Sequence, residues 1–513
     1  MCWHFVVFNT NGDKCLYNYS LLLAQSYGKT ERKKIMTSFL NATVTRTRVF
    51  FAPMLILLIC SHAIGATWSI KTQSEWEAAK ANATGLKLAE GYAKPNAATA
   101  TFQSVVKSLP KKTRLKKITF KQSTVWDNWE QIDDVTPEGL GNAHVFLPVG
   151  PGDYYVLAEK AIKIDYPKGM TADERRAYKK KNFKRSEADQ GYHAWHSKDL
   201  KKWKYCGKVC NSKWVTTAEY ANGKFYIYYD KPNDEEPHLV IDEDLKDGVV
   251  GKEMGMVFND PSHGSDIAIF RDEDGSFHII YEDWSPINAQ THSWDSPLAG
   301  HTSSPDGITG FKPHEHPYPI DHRTKPTGKV GTYRQGRQKY NIHEPEQNAY
   351  GDYTMIKVGS QYYLFCDFDS AEPEKKMRIG RFTSDDLYKE FTWAGEIGEG
   401  FHPDPSVGFA EGQFYIIMQQ KTDFVSPGPW VDGVEVRVGV DEDGDGQTDK
   451  WTDWQRIKES YSQKPGFARI VDVKPASLDL SSLPAGKGVQ FEFKTKQLAT
   501  NKVQPIIASI EIE

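Results

Sequence analysis

Three aspartates, Asp266, Asp352 and Asp404, each stand about ten residues ahead of a pair of ring residues that follows a glycine. The pairs are Phe277-His278 after Gly275, Tyr362-Tyr363 after Gly359 and Phe414-Tyr415 after Gly412. Two further copies, Gly152-Asp-Tyr154-Tyr155 and Gly223-Lys-Phe225-Tyr226, carry His144 and Val215 at the matching place. Cleavage of a glycosidic bond needs one carboxylic acid to protonate the leaving oxygen and one carboxylate to activate water or attack. The acid must hold its proton, through burial or through a neighbouring like charge. Acids at equivalent places in a repeat supply that repulsion when the repeat gathers them to one point.

Other residues compete for the same work. His343-Glu-Pro-Glu346 enters the fourth repeat from an insertion and offers Glu346, and beside it Glu344, as the proton donor. His144, His263 and His402 stand at or near the starts of expected strands, where imidazoles bind sugar hydroxyls or assist proton transfer. Trp214 and His343 complete the candidate substrate contacts. A separate cluster, Asp441-Glu-Asp443-Gly-Asp445-Gly-Gln-Thr-Asp449, has alternating acids and a glycine for a sharp turn, most of what a calcium loop needs. The glutamate that ends a helix-flanked calcium loop is absent, and the flanks alternate as strands do. Structural Ca2+ held by Asp441, Asp443, Asp445 and Asp449 is therefore expected in a β context.

The elements that position these residues follow from the repeat. Each glycine allows a tight turn, and the ring residues after it fill a half-buried pleat, so every copy reads as a strand hairpin. Five copies at intervals of tens of residues, each with chain for four short strands, predict an all-β fold built on a five-bladed β-propeller. Equivalent positions at the starts of the innermost strands then converge on one end of the central channel. Polar turns such as Ser197-Lys-Asp-Leu200 and Ser384-Asp-Asp-Leu387 suit the blade edges. Insertions fall at Lys160–Arg185, which is basic, and at about 312–350, which is rich in His, Pro and Arg. Residues 67–125 and 461–513 flank the expected propeller at 126–460. Both alternate as strands, apart from a capped helical turn at Ser74-Glu-Trp-Glu. A small β-sandwich built from both terminal segments is expected.

The chain has 513 residues, 39% hydrophobic and 12% aromatic, with a net charge of −4. That gives ample core for more than one domain and no global case for nucleic acid as a partner. Residues 1–66 read as an extension followed by a secretory signal: Arg46 and Arg48 precede an apolar run from Val49 to Cys60, then small residues to Ala66. The run is short and broken by Pro53, so no membrane span is expected in the mature chain, and the protein is expected to be secreted or periplasmic. Cys206, Cys210 and Cys366 then remain; Cys206 and Cys210 could close a small disulfide or stay as two thiols.

Over residues 140–430 the sequence resembles glycoside hydrolase family 43 and, more distantly, the five-bladed family 117. Trp214-Val-Thr-Thr-Ala-Glu-Tyr-Ala-Asn-Gly-Lys-Phe-Tyr is similar to the family's second-blade strand. Asp266-Ile-Ala-Ile-Phe-Arg-Asp-Glu-Asp-Gly275 is similar to its third-blade motif, whose leading aspartate is catalytic. Asp404-Pro-Ser-Val-Gly-Phe has the form of its base-bearing strand, here in the last repeat. His144 stands where the family has its general base, and Tyr350 where its acid glutamate is found. The resemblance implies an exported glycosidase acting on an oligo- or polysaccharide of plant or algal origin. The basic insertions fit an anionic one. Two other readings use the same fold: a non-catalytic carbohydrate-binding propeller, and a polysaccharide lyase in which His144 or Tyr350 acts on a uronate.

Overall fold

The computed structural model describes residues 67–513, apart from 123–129, 133–135, 162, 232–235, 261–265, 284–298, 315–329, 336–337, 344–347, 371–376, 398–403, 419–422, 427–432 and 498–503. Of 130–132, 142–144, 330–335, 338–343 and 423–426 the backbone alone is described.

Five antiparallel four-stranded units make the blades, the fourth as part of a six-stranded sheet. The first runs Leu140–Gly150, Asp153–Lys160, Tyr192–Ser197 and Trp203–Cys210, from axis to rim. The second runs Val215–Ala221, Lys224–Asp230, Pro237–Asp242 and Lys252–Met256. The third is Ala268–Arg271, Phe277–Glu282, Ala299–Ser304 and Lys312–Pro313. Ala349–Val358, Gln361–Asp369, Arg378–Ser384 and Thr392–Ile397 form the fourth. In the fifth, Ser406–Ala410, Gln413–Ile417 and Asp423–Ser426 are completed at the rim by Glu130–Ile132 from before the first blade. The innermost strands neighbour one another in blade order, and the fifth returns to the first. This is the expected five-bladed propeller, closed by a strand from the other end of its sequence.

Local chemistry explains the repeat. The five turn glycines, Gly152, Gly223, Gly275, Gly359 and Gly412, all have positive φ, between 60° and 90°. At Asn222-Gly223 and Glu411-Gly412 both turn residues are left-handed, the geometry that matches the twist of a two-residue hairpin. The rings after them pack between blades: Tyr155 lies 5.1 Å from Phe225, and Tyr226 5.1 Å from Phe277. Hydroxyls two residues beyond the aspartate position join neighbouring inner strands. Thr217 accepts from the Ile269 N–H at 3.4 Å, Thr354 from Val407 at 3.2 Å and Ser406 from Phe146 at 2.9 Å.

A strand from beyond the propeller finishes the axis. Ile470–Lys474 runs parallel to the fourth blade's inner strand, pairing Ile470 with Lys357. Just before it Arg469, 2% exposed, projects into the channel. Its guanidinium donates to the carbonyls of Val407 (2.8 Å), Ala218 (3.3 Å) and Phe146 (3.5 Å), spanning three blades. Lys357 is five residues beyond Asp352 along the strand, so Arg469 enters from the end opposite the aspartates.

The sandwich draws on both chain ends. One sheet orders Leu86–Ala89, Tyr92–Pro95, Ile507–Ile512, Lys117–Gln122 and Ala476–Asp479; the other centres on Thr99–Ser104, Gly486–Lys496 and Val434–Asp441. Phe102 stacks on Phe491 and Phe493 at 5.7 and 5.3 Å, and Phe120 meets Phe493 edge-on at 5.6 Å. The helix Gln73–Ala79 covers this core with Trp76, and its Thr72–Glu75 capping box satisfies the first turn. Val434–Asp441, placed with the propeller on sequence, pairs instead with the sandwich strand Gly486–Lys496 and, in turn, with Gln455–Ile457. Its apolar alternation fits either sheet, and only the long partner strand decides between them.

Cys206 and Cys210 are both free thiols. They lie on one extended strand, Trp203–Cys210, where four residues span roughly 13 Å, beyond disulfide reach.

Candidate active site

Asp266 and Asp404 precede the inner strands of the third and fifth blades, Asp352 sits at a register shift inside that of the fourth, and all three have left-handed backbones, with φ of 39°, 46° and 57°. An L-residue other than glycine adopts that conformation at a cost, though aspartate tolerates it better than most. The turn directs each aspartate out of the strand while the next residues enter the core: Ile267 is 1% exposed and Ala268 fully buried. Val215, at the equivalent place in the second blade, is an ordinary buried strand residue.

A second ring of acids holds the first. Asp230, 1% exposed, ends the second strand of its blade and accepts the Asp266 N–H through Oδ2 at 3.1 Å. Asp367, also 1% exposed, accepts the Asp404 N–H through Oδ1 at 2.9 Å. Each buried carboxylate thus fixes the left-handed turn opening the following blade. These residues carry a signal that the reading of the first ring left unused. Four residues beyond the second ring residue of each copy stand Glu159, Asp230, Glu282, Asp367 and Gln419.

Asp352, Asp367 and Asp404 converge, with one carboxylate oxygen of each within 4.8 Å of the others. Carboxylates this close are not all charged unless a cation lies among them; otherwise one holds a proton. Tyr192 of the first blade is buried beside them. Its hydroxyl is pushed well above the ordinary tyrosine range, first by burial and then by the charges of Asp404, Glu159 and Asp352. Trp214 stands at the same mouth: its carbonyl accepts the Asp230 N–H at 2.9 Å, and its side chain is 44% exposed. An open indole beside a bank of carboxylates is a surface on which a sugar ring stacks.

Of the other sequence candidates, His263, His402, Glu344 and Glu346 lie outside the described residues. His144 pairs with Ala158 and His343 with Val330 through the backbone, and their side chains are not described. Tyr350 is placed differently from the lyase reading. It is fully buried, stacked on Phe368 at 5.5 Å and edge-on to Phe382 at 5.1 Å, and serves as core.

In the sandwich, Asp441, Asp443 and Asp449 bring one carboxylate oxygen each within 4.8 Å of the others, and Asp445 is not of that group. Asp441 also accepts the N–H groups of Gly444 and Gly446 at 2.6 and 2.9 Å, while Asp445 caps Gln447 at 2.8 Å. Three of the four expected ligands therefore converge. Among the described residues no helix is long and apolar enough to cross a membrane.

No family model and no curated protein matches the chain. Solved structures of similar shape include an endo-arabinase from Bacteroides thetaiotaomicron VPI-5482, at 12% identity and a TM-score of 0.36, over 57% of this chain and 95% of that one. Another is an α-L-arabinofuranosidase from Clostridium thermocellum ATCC 27405, at 12% identity and 0.35, over 66% and 95%. A third is a GH43 β-xylosidase/α-arabinofuranosidase from a compost microbial metagenome, crystallised with xylotriose in a calcium-free form, at 15% identity and 0.34, over 57% and 88%. With scores this low, the five-bladed architecture rests on the strand order itself.

Proposed function

We propose that this chain is a glycoside hydrolase that works at the aspartate end of the propeller axis. The observation that carries the reading is the convergence of Asp352, Asp367 and Asp404, two of them with left-handed backbones at equivalent places in successive blades. Strain at equivalent positions persists where it serves a site. A carboxylate pair that activates water needs roughly 6.5–9.5 Å between its members, more than this trio allows. For that water-activating geometry the trio supplies one catalytic carboxylate, Asp404 or Asp352, with its charge partners. Asp266, opening the adjacent blade, supplies the other. Trp214 is the stacking platform.

The substrate is an oligo- or polysaccharide. Lys179, Lys180 and Lys181 end the exposed helix Ala172–Asn182 and favour an anionic chain. Export through residues 1–66 suits a polymer met outside the cytoplasm. Ca2+ at Asp441, Asp443 and Asp449 is proposed as a structural ion, where hard oxygen ligands from one tight loop fit its chemistry.

The test is turnover of arabinan, xylan, agarose and carrageenan, followed by reducing-end release and by absorbance of unsaturated ends. New reducing ends without unsaturation support hydrolysis. An unsaturated product, or binding with no turnover on any glycan, overturns it.

A further inference from the structure

A second cavity lies away from the axis, where the sandwich meets the fourth blade. It encloses about 770 Å³, between Tyr92, Lys121 and Gln122 on one side and Tyr363, Arg381 and Tyr461 on the other. That is the size of a small-molecule site, typically about 300–1,000 Å³.

Gln122 is the informative residue. Its backbone N–H is satisfied, donating to Glu459 Oε1 at 2.7 Å, and the Tyr461 hydroxyl holds the other oxygen of that carboxylate. The Gln122 side chain is only 5% exposed and lines the cavity, yet neither its oxygen nor its nitrogen has a partner in the protein. A primary amide offers two donor hydrogens and two acceptor lone pairs. Leaving it buried and unpaired is unfavourable, while an apolar residue of the same size would satisfy the strand at that place. The amide therefore awaits a group that gives and takes a hydrogen bond at adjacent atoms.

Neighbouring hydroxyls of a sugar do both. The remaining walls suit the same ligand: the rings of Tyr92, Tyr363 and Tyr461 offer apolar faces, and Lys121 and Arg381 offer donors. We propose that this cleft is a non-catalytic saccharide-binding site that holds a short oligosaccharide segment, with Gln122 as its specificity-determining contact. The class of ligand rests on the glycoside hydrolase reading; the site itself rests on Gln122 and the cavity.

The test is hydrogen–deuterium exchange on the full chain carrying Asp266→Asn, with xylotetraose, arabinotetraose, agarotetraose and a sulfated carrageenan tetrasaccharide as probes. At least one probe is expected to slow exchange severalfold in peptides spanning 117–122, 359–363 and 459–461. Gln122→Leu and Gln122→Met remove that protection, raise the unliganded melting temperature, and leave protection at 266–271 and 404–410 in place. Sulfated-only protection makes the ligand anionic; protection by the neutral probes makes hydroxyl recognition sufficient. Absence of protection in the three cleft peptides with every probe, or protection that survives both Gln122 variants, overturns the proposal. Wild-type hydrolysis without cleft protection sinks this inference alone, whereas cleft protection without hydrolysis sinks only the catalytic reading.

Discussion

Asp367 accepts the backbone N–H of Asp404 at 2.9 Å across the boundary between two blades. The bond ties the position of a candidate catalytic carboxylate to a buried one in the preceding blade. Asp367→Leu leaves that N–H unsatisfied and is expected to cost about 1–3 kcal/mol in urea unfolding. Asp404→Asn, which keeps the turn and removes only charge, is expected to unfold normally and lose at least about 10²-fold in kcat. Equal losses of stability in the two variants would place Asp404 among structural residues.

The left-handed backbone at Asp352 gives a second, opposite signature. Glycine adopts φ of 46° without penalty, so Asp352→Gly is expected to hold or raise the melting temperature. The same substitution removes a carboxylate from the trio, and turnover is expected to fall by about 10²-fold or more. A variant both less stable and fully active would contradict the assignment.

Two buried groups set opposing pH dependences. Burial pushes the Glu219 carboxyl, beside Arg469 in the axis, up to about 7 from 4.5. The folded state then binds a proton that the unfolded chain has released. Its contribution is complete below pH 4.5 and is lost as pH rises through 7. Burial lowers the His278 imidazole to about 4 and that of His301, bonded to it at 2.9 Å, to about 2. Their contribution is present above about pH 6.5 and lost as pH falls. Between about pH 4.5 and 6.5 the two imidazoles outweigh the one carboxyl, so wild-type stability is expected to rise with pH there and to decline only between about pH 6.5 and 7. Glu219→Gln should steepen that rise by about 1.4 kcal/mol per pH unit and remove the decline toward pH 7, and His278→Gln should flatten the window by a similar amount. Chemical unfolding at half-unit pH steps reads both slopes.

Ligation favours only the folded Asp441–Asp449 loop, so chelator is expected to lower the melting temperature and added Ca2+ to restore it. Asp443→Ala removes that sensitivity, because its carboxylate is one of the three that converge. Identical melting curves with and without chelator would argue against a bound ion.

The propeller was legible because its punctuation is chemical. A glycine forced to positive φ and a ring pair after it recur wherever a blade turns, and counting back from them reaches Asp266, Asp352 and Asp404. Asp230 and Asp367 were equally countable, yet each follows directly on an apolar run of strand, where an acid reads as an exception rather than as a second ring. Arg469 had no such signal. It is brought to the axis by a parallel pairing more than a hundred residues distant from Lys357, which periodicity does not encode. The strand Val434–Asp441 misled for a related reason: alternation specifies a half-buried face but not which sheet will cover it.

The sandwich has a consequence for the order of assembly. Its strand Lys117–Gln122 is flanked by Ile507–Ile512 and Ala476–Asp479, and Thr99–Ser104 pairs with Gly486–Lys496. Nascent chain emerges from its N-terminus, so Phe102 and Phe120 are synthesised hundreds of residues before the strands that cover them. The sandwich is begun before the propeller and finished after it, and a chain that stops short of residue 486 leaves a half-built sheet however well its propeller has closed. Arrival of Gly486–Lys496 and Ile507–Ile512, rather than closure of the blades, is the step that covers Phe102 and Phe120.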